Sequence, residues 1–504
     1  MHYVFESGDA SPDLSMVNGL IDWRFPTTPQ SSLLNRTIHY VRGRCLGGSS
    51  ARNYMVYNRG VYPYYRKSPH YTPANTHLRA TNTSVGTVNE SPSFARSGGP
   101  LQVSYPNFAQ PWASFYPSAF EEIGIPSLSQ GVNAGVLDGY ASITLTQDPI
   151  DKFRSSSDAS FLQKALASTD LVVYTHTMSK RILFDANKTA IGVSVEVNGV
   201  QFQINATREV ILSAGAFLSP QMLMASGVGQ REILDHHNIP VVADRPGVGQ
   251  NMWVALAYES NVETPSVLQN DPTRISQENE EFLTHKSGLL TSNGGSDIVG
   301  FLKLSNQSVT NLSSETVNDF QANFPQDWPE IQVLSYAIGP NDGINQYAGS
   351  AIGLLATFSR GNVTINSADM SDAPIINPAY LTDKRDQELG VAAFRFARRL
   401  AATESLQRAI IGDEVVPGPG VATDAEILRS LQQSITPFYH ASCTCKMGKR
   451  NDSMAVVDSE ARAIGVSGLR VVDVSAFALL PPGQPQATVY MLAEKIADMI
   501  LGHA

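Results

Sequence analysis

One histidine stands among small neighbours in "YHASCTCKMG", residues 439–448, and it is one of only ten in the chain. An imidazole titrates near neutral pH, so His440 has the chemistry of a general base. A lone histidine is more often a structural hydrogen bonder, and its type alone leaves both roles open. Gln484, in "LLPPGQPQATVY", sits just ahead of an apolar-periodic run. Its amide can orient a ligand oxygen but cannot take a proton. A third group is the loop "GRCLGGSSARNYMVYNRG", residues 43–60. Gly47 and Gly48 allow unusual dihedrals and close backbone approach, and Ser49 and Ser50 add hydroxyl donors. Taken alone, that composition is accounted for more simply by a plain structural turn than by a cofactor cradle.

Two further segments supply positions where a ligand could rest. In "EVILSAGAFLSPQMLMASGVG", residues 209–229, a strand runs into Gly215. Ser219 reads as a helix N-cap, Pro220 as the first helical residue and Gly227 as the stop. Free N–H groups at such a start suit an anion or a flavin. An ordinary strand-to-helix connection fits too. In "LRVVDVSA" the strand ends on Asp473, which suits a ribose, a ribityl chain or a phosphate-bound water, or equally a turn cap.

These groups must be positioned by elements spread over the whole length. "DLVVYTHT" reads as a buried-type strand, and "AIGVSVEVNGVQFQIN" as two strands joined by an Asn198–Gly199 hairpin turn, with another strand at Val210–Ser213. Residues 61–110 are rich in Pro, Tyr, Ser, Asn and Thr and read as an irregular surface excursion. "PEIQVLSYAI" and "SAIGLLATFSRGNVTI" carry strand-like runs, and "DQELGVAAFRFARRLAAT" has helical periodicity. The chain closes on an amphipathic helix with Val489, Leu492, Ala493, Ile496 and Ile500 on one face and Gly502 as its stop. Tight α/β grammar therefore flanks a long middle, which predicts a domain assembled from distant pieces around an insertion.

The composition bounds what such a chain does. With 504 residues it exceeds the usual ~100–200 residues of one domain. Apolar residues make up 42% and charged residues 16%, a globular balance. Net charge is −10 with no basic cluster, which argues against nucleic acid as a partner. No apolar run of ~18 residues predicts a membrane span. Cys45, Cys443 and Cys445 follow no standard zinc spacing and read as unpaired thiols. The first residues lack the pattern of a signal peptide, yet Asn-X-Ser/Thr sequons occur at Asn35, Asn82, Asn89, Asn187, Asn205, Asn306, Asn311, Asn362 and Asn451. A secretory, glycosylated history and a merely Ser/Thr-rich surface both fit, so localisation stays open.

Taken together, these segments resemble the glucose–methanol–choline family of FAD-dependent alcohol oxidases and dehydrogenases, over nearly the whole chain. "IDWRFPTTPQ" and "HYVRGRCLGGSSARNYMVYNRG" are similar to the approach to, and body of, its first signature. "GAFLSPQMLMASGVG" fits the second, "RPGVGQNM" the segment after it, and "HASCTCKMG" with "GLRVVDVSAF…EKIAD" the C-terminal catalytic and flavin segments. The tyrosine-rich insert and the sequons look most like fungal secondary-metabolite members. The resemblance implies an α/β fold with α+β elements: a discontinuous Rossmann-like FAD domain (1–60, 165–254, 455–504) and an antiparallel-sheet substrate domain (61–164, 255–454). It implies non-covalent FAD, a small-molecule alcohol as substrate, and hydride transfer to flavin with His440 as base and Gln484 as second active-site residue. Glu6, Gly47, Gly48, Ser49, Asn53, Gly215, Asp473 and Gln486 match cofactor-binding positions, and the final helix would point its N-terminus at the flavin.

There are departures from the family pattern. Gln484 replaces the usual His or Asn, and Arg52 stands where some members attach flavin through His. Val254 and Ala255 replace a frequent Asp-His pair, and Cys443 replaces a glycine. The Gln484 exchange keeps a non-redox cyclase or dehydratase of the same fold in view. The largest departure is at the start. "MHYVFESGD" reads as the second strand of a dinucleotide-binding unit, with Glu6 at the ribose position, and no G-x-G-x-x-G occurs in the chain. Two expectations follow: the first strand–turn–helix unit lies outside this sequence, or the chain is an inactive relative.

Overall fold

The computed structural model describes residues 20–58, 63–79, 86–95, 97–253, 256–258, 272–292, 296–306, 312–336 and 348–502. Glu6, Val254 and Ala255 lie outside them.

The largest sheet has six strands in the order Thr436–Pro437, Leu256–Tyr258, Gly349–Leu354, Ile331–Tyr336, Ile298–Leu302 and Gly139–Ser142, with every neighbour antiparallel. Its strands Gly349–Leu354 and Ile331–Tyr336 are buried on both faces because both faces are covered. Helix Lys384–Ala401 packs on Gly349–Leu354, burying Leu389, Ala393, Phe396 and Leu400 at helical spacing. Asp383 caps it by accepting from the Arg385 N–H, and Arg398 and Arg399 in the last turn suit the dipole. This sheet leads into the histidine segment through its edge strand at Thr436–Pro437.

A second unit carries the parallel pairing expected of a nucleotide fold. Val210–Leu212 lies beside Leu469–Val471, with Val210 opposite Leu469. A three-stranded meander, Met178–Phe184, Ala190–Val197 and Val200–Asn205, packs nearby. Its turn holds Asn198 at φ +49° and Gly199 at φ +82°, the two positive values a type I′ hairpin needs.

Three expectations change. "DLVVYTHT" forms no strand: Val172 is 69% exposed and Leu171, Val173 and Tyr174 are open as well. A β-branched run needs a partner ladder and a surface to pack on, and no described strand lies alongside. The 61–110 excursion is not wholly irregular. Pro69–Thr72 and Leu101–Ser104 pair in parallel, and Tyr65, Phe94, Leu101 and Val103 pack with Tyr57 against Ala487. The Tyr65 hydroxyl bonds the Thr488 hydroxyl at 2.9 Å, so this insert covers the start of the final helix. That helix runs Gln486–Leu501 and ends at Gly502 (φ +75°), but it buries Leu492 and Ile496 while Ala493 and Ile500 are exposed. No helix among the described residues is long and apolar enough to cross a membrane.

Candidate active site

His440 follows the sheet's edge strand. Tyr439 turns the chain with φ +57°, and Ser442 then pairs with Trp253. Phe438 presents its edge to the imidazole, with ring centroids 4.9 Å apart. The peptides on either side of His440 are both held by one distant segment. Arg42 Nη1 donates to the Tyr439 carbonyl at 2.9 Å, and the Tyr40 hydroxyl accepts from the Ala441 N–H at 2.9 Å. The His440 Nδ1 is buried and has no partner. Burial and the nearby Arg42 charge push its pKa down to about 3. The ring is therefore a neutral imidazole at any ordinary pH, with a nitrogen free to accept a proton.

The glycine loop is built for close approach. A Cβ on Gly43 would lie 2.3 Å from the Gly48 carbonyl oxygen, so the loop closes only over glycine. Gly47 (φ +84°) and Gly48 (φ +53°) take left-handed conformations, and a Cβ on Gly48 would meet nothing within 4 Å. That open side leaves room for a ligand against the backbone. The serines serve the loop itself. The Ser50 hydroxyl donates to the Gly47 carbonyl at 2.7 Å, and Ser49 Oγ accepts from the Gly43 N–H at 3.3 Å.

Asn53 and Gln486 tie this loop to the final helix. Asn53 Nδ2 donates to Gln486 Oε1 at 3.1 Å, and Gln486 Nε2 donates to the Val56 carbonyl at 2.6 Å. Asn53 Oδ1 accepts from the Met55 N–H and from Arg154, each at 2.9 Å. Gln484 is held too. Its Oε1 accepts a short hydrogen bond from Asn58 Nδ2, and Asn58 is buried. Gly483 (φ +87°) makes the turn beside them. Arg52 pairs instead with buried Asp22, 3.6 Å away.

Asp473 and Gly215 meet at the carboxyl ends of the two parallel strands, where open α/β sheets bind ligands. Asp473 Oδ2 accepts from the Gly215 N–H at 2.9 Å and the Ser219 hydroxyl at 2.6 Å, and Oδ1 accepts from the Ser475 N–H at 2.7 Å. Gly215 (φ +85°) has open space where a Cβ would stand. The helix here runs Gly215–Ala225, so Ser219 and Pro220 lie inside it rather than at its start. Asp473 explains the difference, because its carboxylate satisfies the Gly215 N–H and lets the helix begin five residues early. Ser219 Oγ still accepts from a preceding N–H, that of Ala214, at 3.0 Å. The stop at Gly227 (φ +86°) stands as expected.

Pro220 has no N–H for the Ala216 carbonyl one turn back. The buried Thr444 hydroxyl donates to that carbonyl at 2.6 Å instead, which ties the histidine segment to this helix. Thr444→Val keeps the shape and removes the donor. It should cost about 1–2 kcal/mol in denaturant unfolding, and an unchanged midpoint would contradict this role. Cys443 and Cys445 are buried free thiols whose pKa values burial raises, that of Cys443 to about 12. No cluster fit to hold a metal occurs among the described residues.

The structure thus places His440 between clamped peptides, and joins Gly47–Asn53 to Gln486 and Gly215 to Asp473. Sequence reasoning missed Tyr40, Arg42, Asn58 and Thr444. Each stands inside a stretch that resembles a family segment, Tyr40, Arg42 and Asn58 in the first signature stretch and Thr444 beside the histidine, but no local pattern assigns any of them its partner.

GMC oxidoreductase family models match residues 1–257 and 357–493. The chain is 44% identical over 519 residues to a patulin synthase of Penicillium expansum, covering 96% of this chain and 82% of the relative. It is 39% identical over 531 residues to a versicolorin B synthase of Aspergillus parasiticus, covering 99% and 80%. Among solved structures, it resembles an FAD-dependent oxidoreductase from Chaetomium thermophilum with TM-score 0.84 and 26% identity over 96% of this chain and 90% of that one. A fungal aryl-alcohol oxidase shares the fold, with TM-score 0.83 and 24% identity over 95% and 89%.

Proposed function

The chain belongs to the GMC oxidoreductase family, whose cofactor is FAD, and from that premise we propose that it oxidises an alcohol carbon of a small organic metabolite to a carbonyl. The described residues fit the cofactor: Gly48 and Gly215 leave open space against the backbone, each at a left-handed turn. Gly47, Gly48, Ser49, Asn53, Gly215 and Asp473 would line it, and the first turn of the helix begun by Gln486 would lend positive dipole. With no histidine at Arg52, the attachment would be non-covalent. FAD, when bound, supplies the hydride acceptor.

The observation that carries the reading is the neutral, unpartnered Nδ1 of His440. Oxidation removes one proton from the substrate hydroxyl and one hydride from its carbon. His440 takes the proton, because Gln484, the other candidate, has no basic group. Gln484, held by Asn58, orients the substrate oxygen.

The pH profile follows from the direction of the His440 shift. The neutral form is the active one and prevails above its pKa, so lowering that pKa extends activity toward acid. The acid limb of kcat/KM should lie below the ordinary ~6.5 of histidine, with activity retained at about pH 5. A limb at the ordinary value would contradict the assigned protonation state.

Anaerobic mixing with a panel of primary and secondary alcohols tests the reaction, with the flavin's visible band as readout. Bleaching by at least one alcohol supports it, and a flavin that no alcohol bleaches overturns it. Gln484 in place of a second base favours one other reading, a non-redox cyclisation or dehydration on the same fold. A product at the oxidation level of its substrate, with the flavin unbleached, would establish that instead.

A further inference from the structure

Catalytic histidines are commonly oriented by a carboxylate or carbonyl that accepts from the second ring nitrogen. His440 lacks that partner, since no described residue hydrogen-bonds either of its ring nitrogens. Its ring direction comes from the backbone that carries it and from the packing of the Phe438 ring. Both flanking peptides are held from one place, Tyr40 and Arg42, which lie 401 and 397 residues away from the groups they bind.

Arg42 is unusual for a half-buried arginine. No carboxylate among the described residues lies within ion-pair distance of it. Its guanidinium lies 4.6 Å from the centre of the Tyr40 ring and 4.8 Å from that of Phe217, and its Nη1 also donates to the Val41 carbonyl at 3.0 Å. The Tyr40 and Phe217 rings meet edge to face at 4.9 Å, and Tyr40 meets Tyr439 at 5.7 Å. Stacking and hydrogen bonds thus fix an uncompensated cation beside the imidazole. Arg42 is also the one charged side chain, among the described residues, that acts on the His440 ring.

From this geometry we infer that Tyr40 and Arg42 are positioning residues, a two-point clamp on the peptides flanking His440 that aims its ring at the substrate hydroxyl. The inference rests on the proposed role of His440 as base. The clamp acts after substrate is bound, so its loss falls on kcat rather than KM. Misplacing a reacting group by about 1 Å can cost ~10²-fold. Tyr40→Phe keeps the ring and removes the acceptor for Ala441. Arg42→Met removes the charge and the bond to Tyr439, and Arg42→Lys keeps the charge on a different geometry.

Tyr40→Phe and Arg42→Met should each lower anaerobic flavin reduction by about 10–100-fold with KM changed less than about threefold and FAD content unchanged. Arg42→Lys should recover part of the loss. Added to His440→Ala, neither should lower the rate further, since the clamp works through that ring. Rates within about twofold of wild type in both variants, a loss confined to KM, or additivity with His440→Ala would overturn the inference.

If no alcohol reduces the wild-type flavin, the reaction is refuted, yet the clamp can still be read from the His440 ring by NMR titration of the holoprotein. Arg42→Met should then raise the midpoint of the ring, and Tyr40→Phe should alter its shift while leaving the midpoint. An unchanged ring signal in both variants would sink the clamp independently of the reaction.

Discussion

His440→Ala should slow anaerobic flavin reduction by about 10²–10⁴-fold, the usual loss when a positioned general base is removed. The expectation is large because no neighbour can take over. Gln484 has no basic group, and its carbonyl oxygen is already engaged by Asn58. Cys443 and Cys445 are buried thiols held in the neutral form. Arg42 cannot accept a proton. Removing the ring leaves the alcohol to shed its proton to water while hydride departs. The structural cost should be small by comparison. The described contact that the imidazole loses is its edge packing with Phe438, worth ~0.5–1.5 kcal/mol. Stopped-flow reduction at saturating alcohol, with FAD content checked by absorbance, separates the two effects. A rate within about tenfold of wild type, with flavin bound, would remove His440 from the role of base.

The legible parts of this molecule are those whose cause is local. Asn198–Gly199 specifies its hairpin because only such residues accept two positive φ values, and both are found there. The spacing of Leu389, Ala393, Phe396 and Leu400 marks one buried helix face whatever lies opposite. Local pattern misleads where a distant group decides the outcome. Ser219–Pro220 carries a sound helix-start signal, but Asp473, 254 residues further on, takes the Ser219 hydroxyl and starts the helix earlier. "DLVVYTHT" has strand residues but no described partner strand, so propensity had nothing to act on. The tyrosine-rich insert looked irregular because its apolar residues follow no period. They become a core only when Ala487 of the last helix arrives. At the site, His440, Gln484, Gly215 and Asp473 could be picked out by type and context. Their holders could not, for Asn58 reaches Gln484 across 426 positions with nothing in either local pattern to join them.

Asp473→Ala should produce the largest loss of stability, about 3–5 kcal/mol, together with loss of bound FAD. The carboxylate is nearly buried and accepts from three donors on two elements: the Gly215 N–H, the Ser219 hydroxyl and the Ser475 N–H. Alanine leaves all three without their acceptor. Each stranded buried group costs ~1–3 kcal/mol, and bonds to a charge lie at the upper end. Ser219 Oγ still accepts from the Ala214 N–H, so the sum falls below three full penalties. The same carboxylate holds the carboxyl ends of Val210–Leu212 and Leu469–Val471 in relation to one another, so its loss loosens the open face at Gly215. Asp473→Asn should be milder but not neutral, because its amide NH₂ replaces one acceptor with a donor facing donors. Thermal melting with and without added FAD distinguishes the two consequences. A pure folding defect lowers both curves equally. Loss of the cofactor site as well removes the upward shift that FAD gives to wild type. An Asp473→Ala protein that melts with wild type and keeps its flavin would show that the three donors find other acceptors and that this carboxylate holds neither the strand ends nor the cofactor.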